Sequence, residues 1–157
     1  MGKWWKRWIG PCALPALLLA LAGLAPAVEV PMETALVILP GGGELVVELA
    51  VSPQQRSRGL MFRDELPEGQ GMLLLFPDSG FRSIWMKNVR FPLDLIWLDG
   101  DQRVVHLERN VPPCPQEPCP DYHSMRQASS VLELNGGAVE KWGIELGQQL
   151  EFIPPLH

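Results

Sequence analysis

Positive charge is scarce in this chain and unevenly placed. The 157 residues carry 13 Lys and Arg against 18 Asp and Glu, a formal charge of -5, and Lys3, Lys6 and Arg7 stand together at the start. From residue 28 onward the 10 remaining basic residues face all 18 acids, a formal charge of -8. Proteins that grip nucleic acid by neutralising phosphates need the opposite balance, so no nucleic-acid partner is expected. Cysteine is scarce as well, at three residues, which leaves no second pair for a zinc knuckle. The chain has no G-x-S-x-G elbow, no H-E-x-x-H, no phosphate-binding loop and no dinucleotide fingerprint. No cofactor is expected, and the sequence alone decides neither for nor against catalysis.

The N-terminus is the first positive signal. A basic opening, MGKWWKRW, is followed by an uncharged stretch from Trp8 to Val28 with the leucine-rich core Leu17 to Leu24, then Ala25-Pro26-Ala27. This is the pattern of a secretory signal peptide over 1–27, with cleavage after Ala27 and a single domain over 28–157. The other reading is an uncleaved anchor, since the apolar run approaches the length of a membrane span. Pro11, Pro15 and Gly23 argue against a long helix there. Contact with the membrane is expected only through this segment, and the domain is expected in the periplasm or outside the cell, as a monomer. A lipid anchor on Cys12 does not fit, because Pro11 precedes the cysteine and the apolar core follows it.

Removing the leader leaves two cysteines, Cys114 and Cys119, in PPCPQEPCPDYHSM. Two cysteines in an oxidising compartment imply a disulfide. The prolines around them deny the segment helix and ladder hydrogen bonds, so a covalent clasp gives it shape. The alternative is a copper or zinc site in which Cys114, Cys119, His123 and Met125 act as soft ligands.

Residues 35–39 and 44–51 flank Pro-Gly-Gly-Gly and predict a hairpin. Ser52-Pro53-Gln54-Gln55 predicts a short helix with Ser as N-cap, Pro at the first position, Gln at the third and Gly59 as the stop. Further short strands are predicted over 71–76, 82–87, 93–98, 103–109, 131–134 and 148–153. A second helix is predicted over 138–142. About eight short strands and two short helices predict a mainly β fold, a compact antiparallel barrel or sandwich.

Two clusters invite a ligand. Arg56, Arg58 and Arg63 concentrate positive charge on and after the first helix, an arrangement suited to carboxylate or phosphate. The bland alternative pairs one of them with an acid at the core edge, Asp94 or Glu133, and leaves the rest solvated. In the strand Ile84 to Asn88, alternation sets Trp85 and Lys87 on one face and Ile84, Met86 and Asn88 on the other. Asp94, among Leu93, Leu95 and Ile96, needs a partner if buried and is a candidate acid or base, though such residues more often act as structural tethers.

The ordered motifs R-G-L-M (Arg58 to Met61), G-M-L-L-L-F (Gly71 to Phe76), W-M-K-N (Trp85 to Asn88), P-L-D (Pro92 to Asp94), P-C with C-x-x-Y (Pro113-Cys114, Cys119 to Tyr122) and V-L-E-L (Val131 to Leu134) resemble the bacterial and archaeal domain of unknown function 192 family. The resemblance covers about Val46 to Phe152. It implies a small β-rich barrel or sandwich, often exported, and no established activity. Its characteristic residues fall on Arg56, Gly59, Met61, Gly71, Met72, Trp85, Met86, Lys87, Asn88, Pro92, Asp94, Cys114, Cys119 and Tyr122.

Together these observations lead to the expectation of a non-enzymatic binding or accessory module of the cell envelope. Its ligand is expected to be small and polar or anionic, held by Arg56, Arg58, Trp85, Met86, Lys87, Asn88, Asp94 and Tyr122. The alternative expectation is a hydrolase or lyase on envelope carbohydrate that uses Asp94 as acid or base.

Overall fold

The computed structural model describes residues 31–154. The leader expected over 1–27 lies outside them. Among the described residues the strands are β1 (Thr34–Ile38), β2 (Glu44–Ala50), β3 (Gln70–Gly80), β4 (Ser83–Trp85), β5 (Leu93–Leu98), β6 (Val104–Val111), β7 (Asp121–His123), β8 (Ala128–Asn135) and β9 (Glu151–Ile153), with helices α1 (Pro53–Arg58) and α2 (Ala138–Trp142). Seven strands form one sheet in the order β6-β5-β8-β3-β2-β1-β9, and β4 pairs with β7 in a separate ribbon. The fold is mainly β, as expected. Every pairing between these strands is antiparallel except β2 with β3, which run parallel because α1 and the loop after it carry the chain across.

The sheet is not a closed barrel, which narrows the sequence expectation. Its two ends do approach: Val104 donates its backbone N–H to Gln148 at 2.8 Å, and Leu150 donates to Gln102 at 3.0 Å. These bonds join the start of β6 to the residues before β9 without making those two strands neighbours in the ladder.

The strands of this sheet bury both faces, and alternation divides them. One face carries Val37, Leu45, Val47, Leu73, Ile96, Leu98, Leu132 and Leu134, covered by Val139, Ile144 and Leu150. The other carries Ala50, Met72, Leu74, Leu93, Leu95, Trp97 and Val131, covered by Leu60, Leu66, Ile84, Met86 and Val89. Burying each such side chain contributes about 1.5–3 kcal/mol. In β5 every residue is buried, so its sequence LDLIWL shows no polar alternation even though its side chains alternate between faces.

The local signals read from the sequence operate as expected at α1. Ser52 Oγ accepts from Gln55 N at 3.1 Å, and the Gln55 side chain accepts from Ser52 N at 2.8 Å, completing a capping box. Such caps contribute about 1 kcal/mol. Gly59 ends the helix at φ 46° and donates to Gln55 O at 2.8 Å. The short β7 was not predicted, because three residues framed by Pro120 and Ser124 carry too little pattern to register as a strand.

Candidate functional site

A cavity of about 240 Å³ opens on the sheet face covered by Leu60 and Ile84, between α1, β3, β4 and β8. Its wall includes Arg56, Ser57, Arg58 and Gly59 from α1 and its cap, Leu74 and Phe76 from β3, Ser83, Ile84 and Trp85 from β4, and Glu133 from β8. A wider groove of about 570 Å³ adjoins it, lined by Pro53, Gln54, Phe62 and Lys87 and sharing Ser57, Arg58, Met61 and Trp85 with the cavity.

Glu133 was not among the expected binding residues; the sequence suggested it only as a possible partner for an arginine. It sits opposite Met72 on β3 and Leu95 on β5, so alternation turns its side chain to the cavity face. The residue is 5% exposed, and Oε2 has no hydrogen-bond partner among the described residues. Burial pushes the carboxyl up from 4.5 to about 7, opposed in part by the positive charge of Arg63. Desolvation disfavours the charged form, and the attraction of Arg63 is too small to reverse it. Arg63 itself donates both guanidinium Nη atoms to Glu48, at 2.7 Å each. The signal that could have marked Glu133 is the one applied to Asp94: a carboxylate between apolar residues on a strand.

Arg56, Arg58 and Trp85 meet at the cavity, as the sequence suggested. Arg56 Nη1 donates to the carbonyls of Val51 and, at 2.8 Å, Leu75, with its guanidinium 5.1 Å from the Phe76 ring centre. It ties α1 to β2 and β3 and shapes the wall. Arg58 lines both cavity and groove. Trp85 is 40% exposed, and Lys87 Nζ lies 5.2 Å from its ring centre, which bears out the shared face read from alternation.

Lys87 belongs to the groove rather than the cavity and is paired with Glu117. Cys114 and Cys119 form a disulfide, and Cys114 N donates to Met86 O at 3.3 Å. The clasped loop therefore rests on the strand that presents Trp85. With both sulfurs in that bond, the copper or zinc alternative loses its thiolates, and the described residues contain no cluster of three or more His, Cys, Asp and Glu positioned for a metal.

The remaining expected residues lie outside the cavity wall. Met86 is buried in the core. Asn88 occupies a left-handed turn at φ 57°, and its carbonyl accepts from Phe62 N at 2.9 Å. Tyr122 pairs with Ile84 in the ribbon and packs on the core. Asp94 requires a correction. It shares its sheet face with Ile96 and Leu98, opposite the cavity, and is 0% exposed. Oδ1 accepts from Asn110 N at 2.6 Å and Oδ2 from Val139 N at 2.7 Å. It tethers β6 and the first turn of α2 and is not placed to touch a ligand in the cavity.

Comparison with solved structures finds a protein of Sinorhizobium meliloti 1021, described as a candidate transcription regulator, at 34% identity and TM-score 0.71, covering 79% of this chain and 97% of that one. A protein of unknown function from Novosphingobium aromaticivorans DSM 12444 matches at 30% identity and TM-score 0.68, covering 81% and 89%. No curated protein matches. A family model described as uncharacterized ACR matches residues 37–152, and with most of the described domain inside that match, the chain belongs to the domain of unknown function 192 family.

Proposed function

We propose that this domain is a non-enzymatic binding or accessory module of the cell envelope that holds a small polar ligand in the cavity and groove around Arg58 and Trp85. The observation that carries the reading is a concave site where an exposed aromatic face, cationic side chains and a buried carboxyl converge. Most of the remaining wall is apolar, the mixture that orients small molecules. Trp85 offers a flat surface to a sugar ring or similar plane, and Arg58 and Lys87 favour an acidic substituent in the groove. The protein acts as an exported monomer, delivered by the leader over 1–27. Two features support export: the basic-apolar-A-x-A sequence of that leader, and a disulfide of the kind that persists in oxidising compartments. Nucleic acid is not its partner, given a charge of -8 from residue 28 onward.

The hydrolase or lyase reading is not favoured. Asp94 is committed to backbone N–H groups on the other face, and glycoside hydrolysis usually employs two carboxyls flanking the bond, whereas among the described residues Glu133 is the one acid in the cavity wall.

A thermal-shift screen of the exported protein against envelope sugars and sugar acids tests the reading. Binding to the folded state raises the melting temperature by mass action, and Arg58→Ala and Trp85→Ala, each folded by circular dichroism, are expected to lose the shift. Binding to envelope extracts that survives both substitutions unchanged would show that the ligand sits elsewhere.

A further inference from the structure

The buried acid at the cavity floor constrains what reaches it. We propose that the cavity takes the head of a small molecule bearing a hydrogen-bond donor, a hydroxyl or an ammonium group, and sets that donor on Glu133 while the rest of the molecule lies in the groove beside Trp85 and Lys87. The inference rests on the binding reading above and adds the chemistry of the head group.

Glu133 is almost wholly buried, and its Oε2 lacks a donor among the described residues. An acceptor in that state costs about 1–3 kcal/mol, more when charged, and a ligand that supplies the donor recovers this cost. Part of the surrounding wall, Leu60, Leu74 and Ile84, is apolar and has no donor to give, and Arg56 directs its Nη1 away to the Val51 and Leu75 carbonyls. An anionic head would set like charge against the carboxyl in a poorly solvated space. An acidic substituent belongs instead to the groove, with Arg58 and Lys87. Size gives the same division. A cavity of about 240 Å³ is below the usual range of about 300–1,000 Å³ for ligand sites, so it admits a head group and leaves the body to the adjoining groove.

Protonation enters because an ammonium head is best held by the ionised carboxyl. The charged groups facing Glu133 are Arg56 and Arg58 from α1 and Arg63 from the loop after it, with Glu48 of β2 paired to Arg63. The cavity-lining residues of β3 and β4 are Leu74, Phe76, Ser83, Ile84 and Trp85, and β5 sets Leu95 opposite, none of which titrates near neutrality. A carboxyl held at about 7 is mostly protonated one pH unit below and mostly ionised one unit above. Affinity for an ammonium probe is then expected to rise about tenfold between about pH 6 and about pH 8.

The experiment titrates methylammonium, glycerol and acetate, each into the millimolar range, and follows the Glu133 carboxyl carbon and the Trp85 indole by NMR. Movement of Glu133 by methylammonium or glycerol, but not by acetate, is expected, and which donor acts separates a cationic head from a neutral one. Glu133→Gln, checked by circular dichroism, is expected to lose the methylammonium response. Failure of both donor probes to move Glu133, or an equal response to acetate, overturns the assignment. If Trp85 responds while Glu133 does not, the head-group chemistry is wrong and the binding reading stands. Silence at both residues for every probe counts against both.

Discussion

Gly59 closes α1 directly beside the Glu133 carboxyl: a Cβ added to Gly59 would lie 3.7 Å from Oε2. That spacing is ordinary contact, so the space there tolerates a methyl group. The backbone does not, because φ is 46° with ψ at -133°, a region that L side chains avoid. Gly59→Ala is therefore expected to cost about 1–3 kcal/mol through strain. Urea denaturation measures it, and an unchanged midpoint would show that the cap relaxes freely.

Glu133 makes stability depend on pH in a direction unusual for a carboxyl. Its folded value of about 7 lies above the 4.5 of an unperturbed Glu. Between these values the folded state binds the extra proton, so this group's contribution is fully present below about 4.5 and is lost as pH rises through 7. The loss amounts to about 3 kcal/mol. Glu133→Gln is expected to flatten this part of the profile and to melt above wild type at pH 8. Identical slopes for the two proteins, measured by urea titration across pH, would place the raised carboxyl elsewhere.

Arg63 provides a check on the cause. Its charge lowers the Glu133 value, so Arg63→Ala should move the Glu133 midpoint upward from about 7. The same substitution breaks the two-bond pairing with Glu48, at a cost of about 1 kcal/mol for a partly exposed pair. Carbon NMR of the Glu133 carboxyl follows the midpoint, and a downward movement would contradict the electrostatic account.

Asp94 is expected to behave as a structural residue. Asp94→Ala strips acceptors from the backbone N–H groups of Asn110, at a part-buried bond, and Val139, at a buried one, and a buried donor left unsatisfied costs about 1–3 kcal/mol. A loss of about 2–5 kcal/mol is expected by denaturation, with ligand affinity unchanged wherever the variant remains folded. A stable variant that selectively lost binding would restore Asp94 to the site.

The disulfide should matter more for Trp85 than for the fold as a whole. Closing so short a loop contributes about 2 kcal/mol. Cys114 also bonds Met86 O, and Glu117 within the loop pairs with Lys87 beside Trp85. Replacing both cysteines by serine is expected to increase acrylamide quenching of Trp85 at denaturant concentrations where the fold persists. Unaltered quenching would detach the loop from the site.

What the sequence alone determined is what local chemistry determines. Ser52, Pro53 and Gln55 begin α1 and Gly59 ends it, since capping involves residues only a few positions apart. The turn from Asp99 to Gln102 joins β5 to β6 because Asp99 Oδ1 accepts from the nearby Asp101 N and Arg103 N, at 2.9 Å each. Alternation put Trp85 and Lys87 on one face, and the ordered motifs identified the family. Two facts waited for the tertiary structure. Asp94 and Glu133 look alike in sequence, each a carboxylate between leucines, and both lie on central strands of one sheet. Their roles diverge because a strand's face acquires meaning only from what packs on it. Asp94 meets the N–H groups of Asn110 and Val139 and is satisfied, whereas Glu133 meets the cavity beneath α1, with one oxygen unbonded among the described residues and its proton held to near neutrality.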